Sequence, residues 1–336
     1  MSWRSMLQIG TAALLAGVLG ASRATAQSGV VDPRCAALAP SQLVTEDACQ
    51  KAVDLFRFMA PQLGVVVVGG NPVLGLSGAL GGLGHVSIGV RANAISGRLP
   101  RASQVSLGQD GAVSSEYAVE GQSIGLPVFD AAIGLFSGIE LPGSRALAFD
   151  ALVNVGWIPR RSEGEIDVSL PGGALHVGYG GRLVLLEESI VTPGITATFL
   201  RRRLPTLELL TRPGEDLLNF RDVSVHADQW RVLFAKHFGG WELSAGGGQD
   251  RYRSSTEIRI HVLRGGATNV AGPIVVEQAL TRDNGFVGVA TTVAPLRVGF
   301  EVGRVEGGSI QTFNSFGGRR ADAALTYVTL GARLSW

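Results

Sequence analysis

Lysine is nearly missing from this chain: Lys51 and Lys236 are the only two, and arginine carries almost every other positive charge. That bias points to no function. Cysteine is scarce as well, with Cys35 and Cys49 alone, too few ligands for a metal site in a segment with no histidine nearby. An excess of one charge is also lacking. The 29 basic and 28 acidic residues nearly cancel, so there is no electrostatic reason to expect nucleic acid as a partner. Beyond the first residues, no stretch approaches the roughly 18 apolar residues that a spanning helix needs.

What is present begins with "MSWRSMLQIGTAALLAGVLGASRATAQ". A charged start at Arg4, a short apolar stretch from Ile9 to Leu19, and Ala24-Thr25-Ala26 before Gln27 read as a secretory signal peptide over residues 1–26. An uncleaved signal anchor is the alternative. Cleavage takes Arg4 and Arg23 with it, leaving 27 basic and 28 acidic residues. Cys35 follows Val-Asp-Pro-Arg and not a small apolar lipobox, which argues against a lipoprotein. In an oxidising compartment Cys35 and Cys49 are expected to form a disulfide.

Residues 27–83 carry one helical pattern, from about Ser41 to Met59. Ser41 or Thr45 can cap it, Glu46 and Asp47 suit its first turn, and Pro61 is expected to end it. An uncharged, glycine-rich stretch follows, "GVVVVGGNPVLGLSGALGGLG". With 47 glycines in 336 residues the chain has about twice the usual share, and around Gly69 to Gly84 that backbone freedom suggests a movable, plug-like segment.

From His85 onward the period becomes two. Val86, Ile88 and Val90 oppose Arg91; Phe149, Val153 and Trp157 oppose Asp150; Val177, Tyr179 and Leu183 oppose His176 and Arg182. Further on, Trp230 and Val232 oppose Arg231, and Trp241 and Leu243 oppose Glu242. Ile258, Ile260 and Val262 oppose Glu257 and Arg259, and Val298 and Phe300 oppose Arg297 and Glu301.

A soluble sandwich and a membrane barrel both alternate in this way. Three features favour the barrel. The strands run to about ten residues, long enough for a tilted crossing of a bilayer. Their polar face carries both charges, which can pair inside a shared lumen. Trp157, Trp230, Trp241 and Trp336 sit near strand ends, where an interfacial girdle belongs.

The expected fold is therefore all-β: a transmembrane antiparallel β-barrel of about 12 strands, between roughly 10 and 14, with a small helical N-terminal segment. Residues 84–336 would form the barrel and residues 27–83 a helix and plug. The lumen-facing set would be Arg91, Asp150, His176, Arg182, Arg231, Glu242, Glu257, Arg259, Arg297, Glu301 and Arg333.

The last strand, "YVTLGARLSW", places Val328, Leu330, Ala332, Leu334 and Trp336 on one face. It resembles the C-terminal insertion signal of bacterial outer-membrane barrels, in which a terminal phenylalanine is commoner than tryptophan. Asn71 and Pro72, a short way before the first strand, resemble the Asn-Pro-Ala hatch motif of the long-chain fatty-acid transporter (FadL) family. Val73 stands where that family prefers alanine, and its hatch does not call for the cysteine pair or the helix. The resemblance implies a bacterial outer-membrane location, with lipid and the barrel insertion machinery as partners, and a small hydrophobic molecule as possible cargo.

No enzyme motif is found. Ser77 in "GLSGALGG" lacks nucleophile-elbow spacing, and His85, His176, His226, His237 and His261 are scattered. His176 with Asp150 is the pair that adjacent strands could unite. No catalytic residue, metal or cofactor is expected. Three functions stay open: a channel or transporter for small hydrophobic molecules, a structural barrel with a filled lumen, and a soluble exported β-domain that binds a ligand.

Overall fold

The computed structural model describes residues 29–38, 43–101, 106–158, 162–163, 166–213 and 216–336. The expected signal peptide and the Ser41 cap lie outside the described residues. Helix α1 (Pro33–Ala36) is capped by Asp32, whose side chain accepts from the Arg34 amide, with Pro33 fixing the first turn. Helix α2 (Leu43–Val68) is joined to α1 by the Cys35–Cys49 disulfide.

Pro61 does not end α2; it sits inside a 26-residue helix. Proline costs a helix one backbone bond and a clash with the preceding turn. Here packing outweighs that cost, because α2 is enclosed on nearly every side. Gln62 adds an anchor just beyond the proline. Its side-chain amide donates to Arg98 O (3.0 Å) and accepts from Arg98 N (2.7 Å), as a neighbouring strand would.

Seventeen strands follow in chain order among the described residues. They are β1 (Val86–Pro100), β2 (Glu116–Tyr117), β3 (Val119–Phe136), β4 (Ile139–Leu141), β5 (Ser144–Ala146) and β6 (Ala148–Trp157). Next come β7 (Ser162–Glu163), β8 (Ile166–Ser169), β9 (Leu175–Leu186), β10 (Gly194–Arg203), β11 (Leu207–Thr211) and β12 (Leu217–Phe238). The last are β13 (Trp241–Arg264), β14 (Ala267–Val293), β15 (Leu296–Val305), β16 (Ser315–Phe316) and β17 (Leu325–Ser335).

Thirteen of these form one sheet, ordered β10-β9-β6-β3-β1-β17-β15-β14-β13-β12-β11-β8-β7. The first and last long strands are partners. Val86 N donates to Trp336 O (3.0 Å) and Trp336 N to Val86 O (3.1 Å), and the register then runs from Ser87↔Ser335 to Ile95↔Tyr327.

The expected closed barrel of about twelve strands is corrected by these pairings. The sheet is not closed along its length. Between Val119 and Pro127, β3 pairs with β1 alone among the described residues, because β6 joins it only from Val128 onward. At the other end of the sheet, β11, β8 and β7 form a side arm on β12, and β7 has β8 as its only described partner. Only in the half that holds Val86 and Trp336 does β12 also reach β10, from Gly194↔Ala235 to Arg203↔His226.

The two halves also differ in polarity. Along β1 the outward residues Ile88, Val90, Ala92 and Ala94 give way to Ser96 and Arg98, while the inward Ser87, Arg91 and Asn93 give way to Ile95 and Leu99. β13 repeats the change. Outward Trp241 and Leu243 are followed by Arg251 and Arg253, and inward Glu242 and Asp250 by Ile258, Ile260 and Val262. The half that holds Val86 and Trp336 thus has an apolar exterior and a charged interior. The far half has a polar exterior and an apolar interior, which α2 fills through contacts with β1, β3, β12, β13, β14 and β17.

Candidate functional site

The charged interior is built around the segment that leaves α2. After Val68 the helix stops at Gly69 and Gly70. Gly70 has φ +77°, and a side chain there would collide with Asn93 and Thr329, so only glycine fits. Asn71 then closes a turn over Pro72. Its side-chain oxygen accepts from Val73 N (3.1 Å) and its carbonyl from Leu74 N (3.1 Å).

Arginines of the wall hold this segment by its carbonyls. Arg202 donates to Val68 O (3.1 Å), Arg91 to Gly69 O (2.6 Å), and Arg333 to Pro72 O (2.8 Å). Arg182 donates to both Leu76 O (2.6 Å) and Gly78 O (2.8 Å). Acids of the wall take the donors: Asn71 N reaches Glu301 (3.1 Å), Ser77 Oγ reaches Glu242 (2.6 Å), and Ala79 N reaches Glu187 (3.1 Å).

Two of these arginines, Arg91 and Arg182, and two others of the wall are paired with carboxylates across strands. Arg91 binds Asp130 (2.6 Å), Arg182 binds Asp150, Arg231 binds Glu301 (3.4 Å), and Arg297 binds Glu242 (2.7 Å). Pairing of this kind is what makes buried charges tolerable.

Eight residues of the expected lumen-facing set are buried on the inward face: Arg91, Asp150, His176, Arg182, Arg231, Glu242, Glu301 and Arg333. Arg297 sits half-buried at the rim. Glu257 and Arg259 do not join them. They lie on the outer face, bonded to each other (2.8 Å), while Ile258 and Ile260 point inward. The face polarity inverts along β13, so a rule learned from its first half fails in its second.

His176 and Asp150 are not brought together either. Register sets His176 opposite Gly156, and Asp150 opposite Arg182, which takes up its carboxylate. Asp130, Arg202 and Asp250 are interior groups that the sequence reading passed over. Arg202 was legible within Arg201-Arg202-Arg203, since period two must turn the middle residue away from its neighbours.

The apolar half contains a different feature. A cavity of about 260 Å³ lies between α2 and the wall. Leu55, Phe56, Met59 and Leu63 of α2 face Ile124 and Leu126 of β3, with Leu207, Leu209, Phe220 and Val223 across from them. Gln122 and Thr211 are the only polar side chains among the described residues of its lining. The β3 residues belong to the stretch that pairs on one side alone.

The helix that forms the cavity's back wall is firmly docked. Phe58 stacks on Phe316 at 4.2 Å, and Tyr117 stacks on the same ring at 4.9 Å. Asp54 accepts from Asn314 N and Nδ2 (both 2.8 Å), and burial pushes its carboxyl above its usual range. Burial likewise pushes the Tyr117 phenol up. Lys51 donates to Asp47 (2.5 Å) and Ser106 O (2.7 Å).

Among the described residues no group of three or more His, Cys, Asp or Glu side chains is placed to hold a metal, and no helix is long and apolar enough to cross a membrane. No protein-family model matches this chain, and no curated protein does. Solved structures of several bacterial outer-membrane proteins are distantly similar. Ail of Yersinia pestis aligns at 9% identity over 76% of this chain and 99% of its own, with a TM-score of 0.28. The outer-membrane protease OmpT of Escherichia coli aligns at 11% identity over 75% and 96%, at 0.31. A FadL homologue of Pseudomonas aeruginosa aligns at 8% identity over 75% and 90%, at 0.24. The likeness is to diverse outer-membrane proteins and singles out no one family, FadL included.

Proposed function

We propose that this chain is a bacterial outer-membrane protein that takes up a small hydrophobic molecule into the apolar cavity beside α2. The described residues of 84–336 form its wall, and those of 27–83 fill it. The membrane part of this reading rests on the inverted half of the sheet. Charges are buried inside, while Ile88, Val90, Phe129, Val153, Phe199, Phe234 and Leu330 face outward and exposed. Water would not select that arrangement, and lipid would. Trp241 and Trp336 lie at one border of this zone, and Trp157 and Trp230 at the other.

The cavity carries the functional reading. It is lined almost wholly by carbon and is large enough for a small apolar ligand. Onward passage toward the Trp336 end would have to break the arginine contacts on Val68 to Gly78. The cavity is therefore the binding step, and the pinned segment the barrier.

Met59 provides the test. Once residues 1–26 are removed it is the sole methionine, so its ¹³C-methyl signal reports on the cavity alone. Titration with toluene should give a saturable shift that Ala60→Leu, which fills the cavity, abolishes. No saturable shift would sink the ligand-binding reading. It would favour the second reading, a structural outer-membrane protein with a filled interior, for which the dense pinning of residues 68–79 is the supporting observation.

A further inference from the structure

The outer face of β10, β12 and β13 carries two rows of charge directly beyond the apolar zone. In the nearer row Arg201 pairs across to Asp228, and Asp228 to Arg251. In the next row Arg203 pairs across to His226, and His226 to Arg253. One step toward the Trp336 end, the same face presents Phe199 opposite Trp230, both about half exposed. Arg201, Arg203, His226, Asp228 and Arg253 line a depression of about 100 Å³.

Neutralisation in this patch is incomplete. Arg201 is held by Asp228 at 2.6 Å. Arg203, Arg251 and Arg253 have no carboxylate within ion-pair distance among the described residues. Arg201 and Arg203 on β10, and Arg251 and Arg253 on β13, are like charges two residues apart on one face, so this concentration of guanidinium has a cost that an anion would remove. On β9 the same two rows continue with apolar surface, Tyr179 beside Arg201 and Val177 beside Arg203.

We infer that this patch binds the phosphate of a membrane lipid, with the acyl chains lying along Phe199, Trp230 and Tyr179. Guanidinium groups match phosphate geometry with paired donors. Continuity with the apolar zone selects a lipid over a free anion, because a soluble phosphate would have no use for the adjoining rings. The inference rests on the membrane reading above and extends it to a specific headgroup.

The test uses the full chain without residues 1–26 in an uncharged maltoside detergent, titrated with short-chain phosphatidic acid, with the matching diacylglycerol and with inorganic phosphate. Thermal unfolding and native mass spectrometry read the binding. Phosphatidic acid should bind about tenfold more tightly than diacylglycerol. Arg203→Gln with Arg253→Gln should erase most of that preference, and Arg203→Lys with Arg253→Lys should keep part of it. Both pairs are solvent-facing, and insertion into phosphatidylcholine vesicles checks that each variant folds. Equal binding of the two lipids by a chain that does insert overturns the headgroup site and leaves the membrane reading standing. An equal effect of inorganic phosphate overturns it in favour of a free-anion site. A wild-type chain that fails to insert removes the membrane reading, and this inference with it.

Discussion

Arg182 reaches across its strand pair to Asp150 and past it to the interior segment, so a single guanidinium joins the wall to the carbonyls of Leu76 and Gly78. Both side chains are fully buried. Removing one member of such a pair leaves the other charged and unpaired, at a cost of about 3–5 kcal/mol. Arg182→Ala should therefore destabilise the fold on that scale, measured by urea unfolding. It should also speed amide exchange at Ala79 and its neighbours. Unchanged exchange would mean that the segment is held by its other contacts alone.

That segment shows where the sequence was legible and where it was not. Its glycine richness suggested mobility, because glycine permits many backbone conformations. The structure uses the same property in the opposite way. Gly70 lets the backbone pass close to Asn93 and Thr329, where its neighbours' carbonyls meet arginines. Carbonyl acceptors leave no mark in a sequence, so the pinning could not be read from residue types. Strand alternation was readable, and so was the pairing of Cys35 with Cys49. Barrel closure and strand number were not, because the sheet has different pairings in its two halves.

The inversion of faces along β13 makes a quantitative prediction. Ile258 is fully buried against the helical core, whereas Glu257 faces outward. Ile258→Ala should cost about 2–5 kcal/mol, and Glu257→Ala should stay within about 0.5 kcal/mol. Urea midpoints of the two variants decide it. Equal effects would contradict the assignment of inner and outer faces.

Asp32 gives the N-terminal segment an acid limit. The hydrogen bond from Arg34 (2.9 Å) outweighs burial and holds its carboxyl below the ordinary value of 3.8, with Arg57 adding a second cation at 2.8 Å. A carboxyl depressed in the folded state contributes stability that is fully present above 3.8 and is lost as pH falls through the lower folded value. Asp54 has the opposite sign. Burial raises its carboxyl, so its contribution is greatest below 3.8 and declines as pH rises through its folded value. Asp32→Asn should flatten the acid side of the stability profile. Urea unfolding from neutral pH to below 3.8 reads the difference, and an unaltered acid limb would remove Asp32 from the explanation.

The disulfide ties α1 to the second turn of α2 across 14 residues of sequence. In the chain-entropy model, closing a loop of that size contributes about 3 kcal/mol. Cys35→Ser with Cys49→Ser should lower stability by that order, and release of residues 29–38 should appear as faster proteolysis near Arg34. An unchanged proteolysis rate would show that the Arg34 and Arg57 contacts to Asp32 suffice to dock α1.

Val90 separates the membrane reading from a soluble one. It lies on the outward face of β1 in the apolar zone and is 50% exposed. In water, Val90→Arg at so open a position should change stability by about 0.5 kcal/mol or less. In lipid, an arginine near the middle of the zone should cost about 2–4 kcal/mol. Ser96, on the same face but beyond the zone, provides the control, because Ser96→Arg places the charge beside Arg98, where the outer surface is already polar. Refolding into phosphatidylcholine vesicles, scored by protease protection and heat-dependent gel migration, should fail or slow for Val90→Arg and proceed for Ser96→Arg. Equal behaviour of the two variants would argue that water, and not lipid, meets the apolar face.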